Sequence, residues 1–231
     1  MNASDDLAPG GRTQTQWFFE AARQATLGPM IVVSVTMFAV GGLARDAGFS
    51  MGIAVASTLL IWAGPAQVLY FGAVAAKTAW PAIAVLISLS SVRFVPMVVS
   101  MLPVIRTPKT RLLTLILAAH CIAVTVWAEG MRRLPDVPKA ARMSFFAGFA
   151  TMIFIGSTIA TIIGYFLIGE LPRPLAAALL FITPIYFTST MTKAARMRVD
   201  KLALGLGFAL APLTQYFAPP GFDLRSEEHT V

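Results

Sequence analysis

Long stretches without a single charged side chain recur along almost the whole of this 231-residue chain. They occupy positions 24–44, 47–76, 112–128, 143–169, 174–192 and 202–222; one more, 78–105, is broken only by Arg93. A helix needs roughly 20 apolar residues to cross the hydrocarbon of a bilayer. Inside lipid every backbone polar group must be satisfied within the protein, so such runs are expected to be helical. Composition agrees. Hydrophobic residues make up 57% and charged ones 13%, against roughly 25% charged in a soluble domain. The expectation is an all-α, polytopic integral membrane protein of about seven transmembrane helices. Its membrane domain covers 24–218, between a polar N-terminal tail (1–23) and a short polar C-terminal tail (219–231).

The net charge of +7 does not point to nucleic acid, because the basic residues sit in short loops between apolar runs rather than on one soluble face. Alternating the loops across seven spans puts 11 Lys and Arg on the side of the N-terminus and 6 on the other. Positive charge favours the cytoplasmic side, which gives a cytoplasmic N-terminus in a multi-pass membrane protein. The basic loop Arg106–Arg111 falls on the wrong side in this count, and 112–128, the shortest run, is the one open to a re-entrant path. Cys121 is the only cysteine, so no intrachain disulfide forms. The first residues lack the basic, apolar and small-residue order of a secretory signal.

Two prolines interrupt apolar runs near their middles, Pro65 and Pro184. Proline has no N–H and clashes with the carbonyl four residues back, so it breaks or kinks a helix. Gly64 eases the break before Pro65. Such a break frees carbonyls, which attract ammonium groups, and exposes helix N–H groups, which attract carboxylates. Short stretches before each break also look alike, Ser34 through Gly41 and Ser157 through Gly164. Breaks at matching positions in two related halves point to a transporter's binding site. Gln67 and Tyr186 each lie two residues past their proline and are the polar side chains expected to touch a solute there. Chance similarity between apolar segments, plain kinks and interhelical hydrogen bonds are the simpler readings of the same residues.

Arg93 stands where a charge costs at least roughly 2.5 kcal/mol. It is expected to face a bundle interior and to pair with a solute carboxylate. Carbonyls freed near Pro96 are its alternative partners. His120, the remaining mid-span titratable group besides Cys121, is a candidate for carrying a coupling proton; a bond to a helix carbonyl is its structural alternative. All acidic residues lie in tails, loops or span ends, which disfavours a relay of buried carboxylates. There is no metal-spacing cluster, no Walker or GxGxxG fingerprint and no GxSxG. The chain reads as no enzyme, with no metal or cofactor.

Ala47-Gly48-Phe49-Ser50, Ala63-Gly64-Pro65-Ala66-Gln67 and the Val92-Arg93 segment ending at Pro103 together resemble the AzlC family of branched-chain amino-acid permeases. The resemblance is clear over about 28–142. It implies export of valine, leucine or isoleucine across the inner membrane, with a second, small membrane subunit of the AzlD type. Gly64, Gln67 and Arg93 carry over residue by residue. Ser91 and Phe94 stand where the family often has Asn and His, and His120-Cys121 where it often has an acidic pair; both departures bear on ion coupling and solute. The full expectation is a transporter in which Gly64, Pro65, Gln67, Arg93, Pro184 and Tyr186 bind a small amphoteric solute. Trp62, Tyr70 and Phe94 would line its apolar part. An exporter of a different solute and a non-transporting scaffold subunit are the alternatives.

Overall fold

The computed structural model describes residues 12–26 and 28–167, and scattered positions between 172 and 210. Pro184, Tyr186, most of 202–222 and the C-terminal tail lie outside the described residues. The fold is all-α and polytopic, as expected. Nine α-helices are present among the described residues: α1 (Gln14–Thr26), α2 (Pro29–Asp46), α3 (Met51–Leu60), α4 (Gly64–Ala75), α5 (Trp80–Ser91), α6 (Phe94–Ile105), α7 (Leu112–His120), α8 (Val124–Arg133) and α9 (Arg142–Leu167). The chain divides into two units, 1–180 and 181–231, and all nine helices belong to the first.

Two helices are long and apolar enough to cross a bilayer alone, α2 and α9. They run side by side in the same direction and touch backbone to backbone. A Cβ added at Gly41 would overlap the Thr161 carbonyl of α9, and one at Gly164 would overlap the Phe38 carbonyl of α2. Small residues that let backbones approach are the usual glue of helices in lipid, where no hydrophobic force drives them together. The Ser34–Gly41 and Ser157–Gly164 segments, alike in sequence, are therefore each other's packing partners. Part of the expected N-terminal tail joins them: α1 lies along the start of α9, with Gly148 against the Phe18 backbone and Ser144 Oγ donating to Gln14 Oε1 at 2.6 Å.

The run 47–76 doubles back on itself. Gly48, at φ +79, ends α2 with the paired bonds Gly48 N–H to Arg45 and Phe49 N–H to Ala44, a left-handed stop that glycine takes without strain. Ser50 then caps α3, its Oγ accepting from the Ile53 N–H. At about 1.5 Å per residue, the 10 residues of α3 reach only about halfway across a bilayer. After the break at Ile61–Ala63, α4 returns. Gln67 lies against Ser57 and Thr58, and Phe71 lies 5.1 Å from the Phe49 ring where the chain came in.

The second short run does the same from the opposite side. Helices α7 and α8 meet at a bend of 115°, and α8 then packs back along α6, with Met101 Cε 2.5 Å from where a Cβ on Gly130 would stand. Trp127 Nε1 donates to Ser100 Oγ at 2.9 Å. Between the hairpins, α5 and α6 form one span bent by 43° at Val92-Arg93. The described chain thus crosses three times and dips twice, α3–α4 from the side where α9 ends and α7–α8 from the side where α9 begins.

This path resolves the misplaced basic loop. Arg12, Arg23, Arg106, Lys109, Arg111, Arg132, Arg133, Lys139 and Arg142 all fall on the side where α9 begins, and Arg45 and Lys77 on the other. Among these described residues seven simple crossings would divide the charges 7 to 4; the segregation here is sharper because each hairpin returns its flanking loop to the side it left.

Candidate solute site at the hairpin tips

The two tips are built alike. Each is a three-residue break, Ile61–Ala63 or Cys121–Ala123, ending in an extended alanine that starts the next helix without a side-chain cap. In an unbroken helix the Leu59 carbonyl would accept from residue 63 and the Cys121 carbonyl from residue 125. Both lose that partner: the Cys121 carbonyl accepts from the nearby Ala123 N–H at 3.1 Å, and each carbonyl also takes a donor from the other hairpin. His120 Nε2 donates to the Leu59 carbonyl at 2.7 Å, and Trp62 Nε1 donates to the Cys121 carbonyl at 3.2 Å. Phe154 of α9 stacks flat on Trp62, ring centroids 3.4 Å apart, and its ring lies 6.0 Å from that of His120. The pair of bonds clasps the two hairpin tips together. His120→Leu, which keeps the bulk and removes the donor, is expected to cost about 1 kcal/mol, read as a lowered melting temperature in detergent.

Beside the clasp lies a buried polar cluster in an otherwise apolar interior. Thr36, Ser57, Thr58, Gln67, Ser157 and Thr161 are all buried, and Gln67, Ser157, Thr58 and Thr161 fully so. Gln67 Nε2 reaches Ser57 Oγ at 2.9 Å and Thr58 Oγ1 at 3.1 Å. Thr58 Oγ1 meets Thr161 Oγ1 at 3.0 Å, which ties α3 to α9. Thr36 Cγ2 stands 3.2 Å from where a Cβ on Gly64 would be, so α2 seats directly on the first residue of α4. Side chains of a helix lean toward its N-terminus, which brings Gln67 back over the break. Pro65, in the first turn of α4, needs no N–H partner there.

Only some of the expected site residues meet. Gly64, Pro65 and Gln67 come together at the α3–α4 tip, with Trp62 beside them and His120 bonded across it. Arg93 lies elsewhere, exposed at the α5–α6 bend with its guanidinium 5.1 Å over the Phe94 ring. Tyr70 packs with Phe49 and Phe71 toward the entry of the hairpin rather than at its tip. Thr36, Ser57, Thr58, Ser157 and Thr161 carry no individual signal in the sequence. Serine and threonine in a membrane helix can bond their own preceding turn, so their presence alone marks nothing.

A family model described as AzlC protein matches residues 29–171. The matched stretch begins at the first residue of α2, includes both hairpins and passes the end of α9. The chain belongs to the AzlC family. It is accordingly a multi-pass membrane transport protein handling a small-molecule substrate. No curated protein and no solved structure matches it.

Proposed function

We propose that this AzlC protein exports branched-chain amino acids across the inner membrane together with a small AzlD-type subunit. The carrying observation is the buried polar cluster at the tip of the α3–α4 hairpin, beside its clasp to the opposed α7–α8 hairpin. Broken helices meeting near the midplane are how secondary transporters hold small polar solutes. The aliphatic and aromatic surroundings of the cluster suit a short apolar side chain. With the basic residues of loops gathered where α9 begins, that side is the cytoplasm, and the N-terminus lies there.

The test is export itself. Cells with and without this chain, each co-expressing a candidate small subunit, are loaded with valine-, leucine- or isoleucine-containing dipeptides and the release of free amino acid is followed. Faster release with the chain supports the reading. Unchanged release for all three overturns it. Arg93→Ala is expected to abolish that export at unchanged membrane level. If the variant also loses the small subunit in co-purification, Arg93 serves assembly rather than solute.

A further inference from the structure

Gln67 presents one atom whose role emerges from a donor-by-donor count. Ser57 Oγ donates its hydrogen to the Ala54 carbonyl at 2.7 Å, and Thr161 Oγ1 donates to the Ser157 carbonyl at 2.9 Å. Thr58 Oγ1 has acceptors in the Ala54 carbonyl and Thr161 Oγ1, at 3.3 and 3.0 Å. With these hydrogens used, Ser57 and Thr58 can only accept from Gln67. The amide must therefore turn its NH2 toward them, which fixes Oε1 as the free end. That oxygen is buried with no partner among the described residues, as are Thr36 Oγ1 and Ser157 Oγ. A buried carbonyl oxygen in this state calls for a donor.

A second feature sits at the same place. Helix α4, 12 residues long, begins at a buried N-terminus that no side chain caps. Its first N–H groups, on Gly64 and Ala66, point out of the helix end, where the positive pole favours a carboxylate. An acceptor that wants a cationic donor thus stands one turn from donors that want an anion. Thr36 of α2 lies against Gly64, and on α9 Ser157 lies between Phe154, stacked on Trp62, and Thr161, bonded to Thr58; both carry unpartnered buried hydroxyls.

We propose that this tip binds both charged groups of an α-amino acid. Gln67 Oε1 takes the ammonium, and the first N–H groups of α4, with the Thr36 and Ser157 hydroxyls, take the carboxylate. The proposal rests on the transport reading and gives it a recognition chemistry: the zwitterion is read by α2, α4 and α9. With Gln67 fully buried, the site is closed in this conformation.

The test compares three probes on the purified full-length protein in lipid nanodiscs: leucine, 4-methylpentanoate, which lacks the ammonium, and isoamylamine, which lacks the carboxylate. Leucine is expected to bind more tightly than 4-methylpentanoate, and Gln67→Leu to remove about 10- to 100-fold of that preference. Thr36→Val with Ser157→Ala should weaken leucine and 4-methylpentanoate together and leave isoamylamine unchanged, which guards against a Gln67 variant that fails to fold. A Gln67→Leu protein that keeps the leucine preference, or that weakens all three probes alike, overturns the proposal while leaving branched-chain export standing. Binding of an unbranched amino acid with the same Gln67-dependent preference supports the site and overturns the branched-chain reading. Binding of no amino acid at all overturns both.

Discussion

Gly164→Val is expected to abolish accumulation of the folded protein in the membrane. A Cβ at Gly164 would overlap the Phe38 carbonyl, and Gly41 makes the reciprocal approach to the Thr161 carbonyl. Ordinary overpacking costs roughly 1–3 kcal/mol because a flexible side chain gives way. Here the obstacle is backbone on both sides, so α2 and α9 must separate along their common seam. The cost should reach about 4 kcal/mol or more, in the range that marks a disrupted core. Gly72→Ala is the matched control. A Cβ there meets nothing within 4 Å, and alanine is the better helix former by roughly 1 kcal/mol. Fluorescence-detected size exclusion of tagged variants from solubilised membranes would show a monodisperse peak for the control and none for Gly164→Val. A normal peak for Gly164→Val would mean that α2 and α9 can part along the seam at little cost.

Trp62→Ala carries the second large effect. Trp62 is buried, stacked on Phe154 and bonded to the Cys121 carbonyl, and it holds a left-handed backbone at φ +48. Such a conformation costs a bulky residue of order 1–3 kcal/mol and persists because its surroundings impose it. Truncation removes the stack and the donor together, for about 3–5 kcal/mol. Trp62→Phe separates the contributions, keeping the stack and losing about 1 kcal/mol for the hydrogen bond. Thermal unfolding followed by peak height should order the proteins as wild type, Trp62→Phe, Trp62→Ala. Equal losses in the two variants would assign the whole effect to the donor.

Much of this architecture is legible in the sequence. Apolar runs give the helices and the membrane, and Gly64-Pro65 marks the α3–α4 break. The turn-back of 112–128 shows in its shortness and in the basic loop Arg106–Arg111 beside it, and the 115° bend agrees. That of 47–76 is not legible, because a broken span and a hairpin have the same composition; what separates them is whether Gln67 finds Ser57 or the far side of the bilayer. The second break has even less to announce it, for Cys121-Ile122-Ala123 contains neither proline nor glycine. It forms because the Leu59 carbonyl and the Trp62 indole wait opposite it, a tertiary cause. Of the expected site, the Gly64–Gln67 end is readable from the backbone chemistry of its own four residues. Its hydroxyl partners are not, since they come from α2, α3 and α9 and are joined only by packing. Arg93 stands out by the cost of its charge in lipid, a signal that says a residue needs company without saying whose.

The hairpin tips also set a schedule for synthesis. Thr58 waits for Thr161, 103 residues later in the chain, and the Leu59 carbonyl for His120, 61 residues later. At roughly 5–20 residues per second the longer interval is about 5–20 s. Until His120 is made the first hairpin holds a free Leu59 carbonyl that lipid cannot satisfy, and until Thr161 is made Thr58 lacks its partner on α9. A ribosome stalled between the two hairpins would leave a nascent chain whose first half has been made but has nothing to close upon.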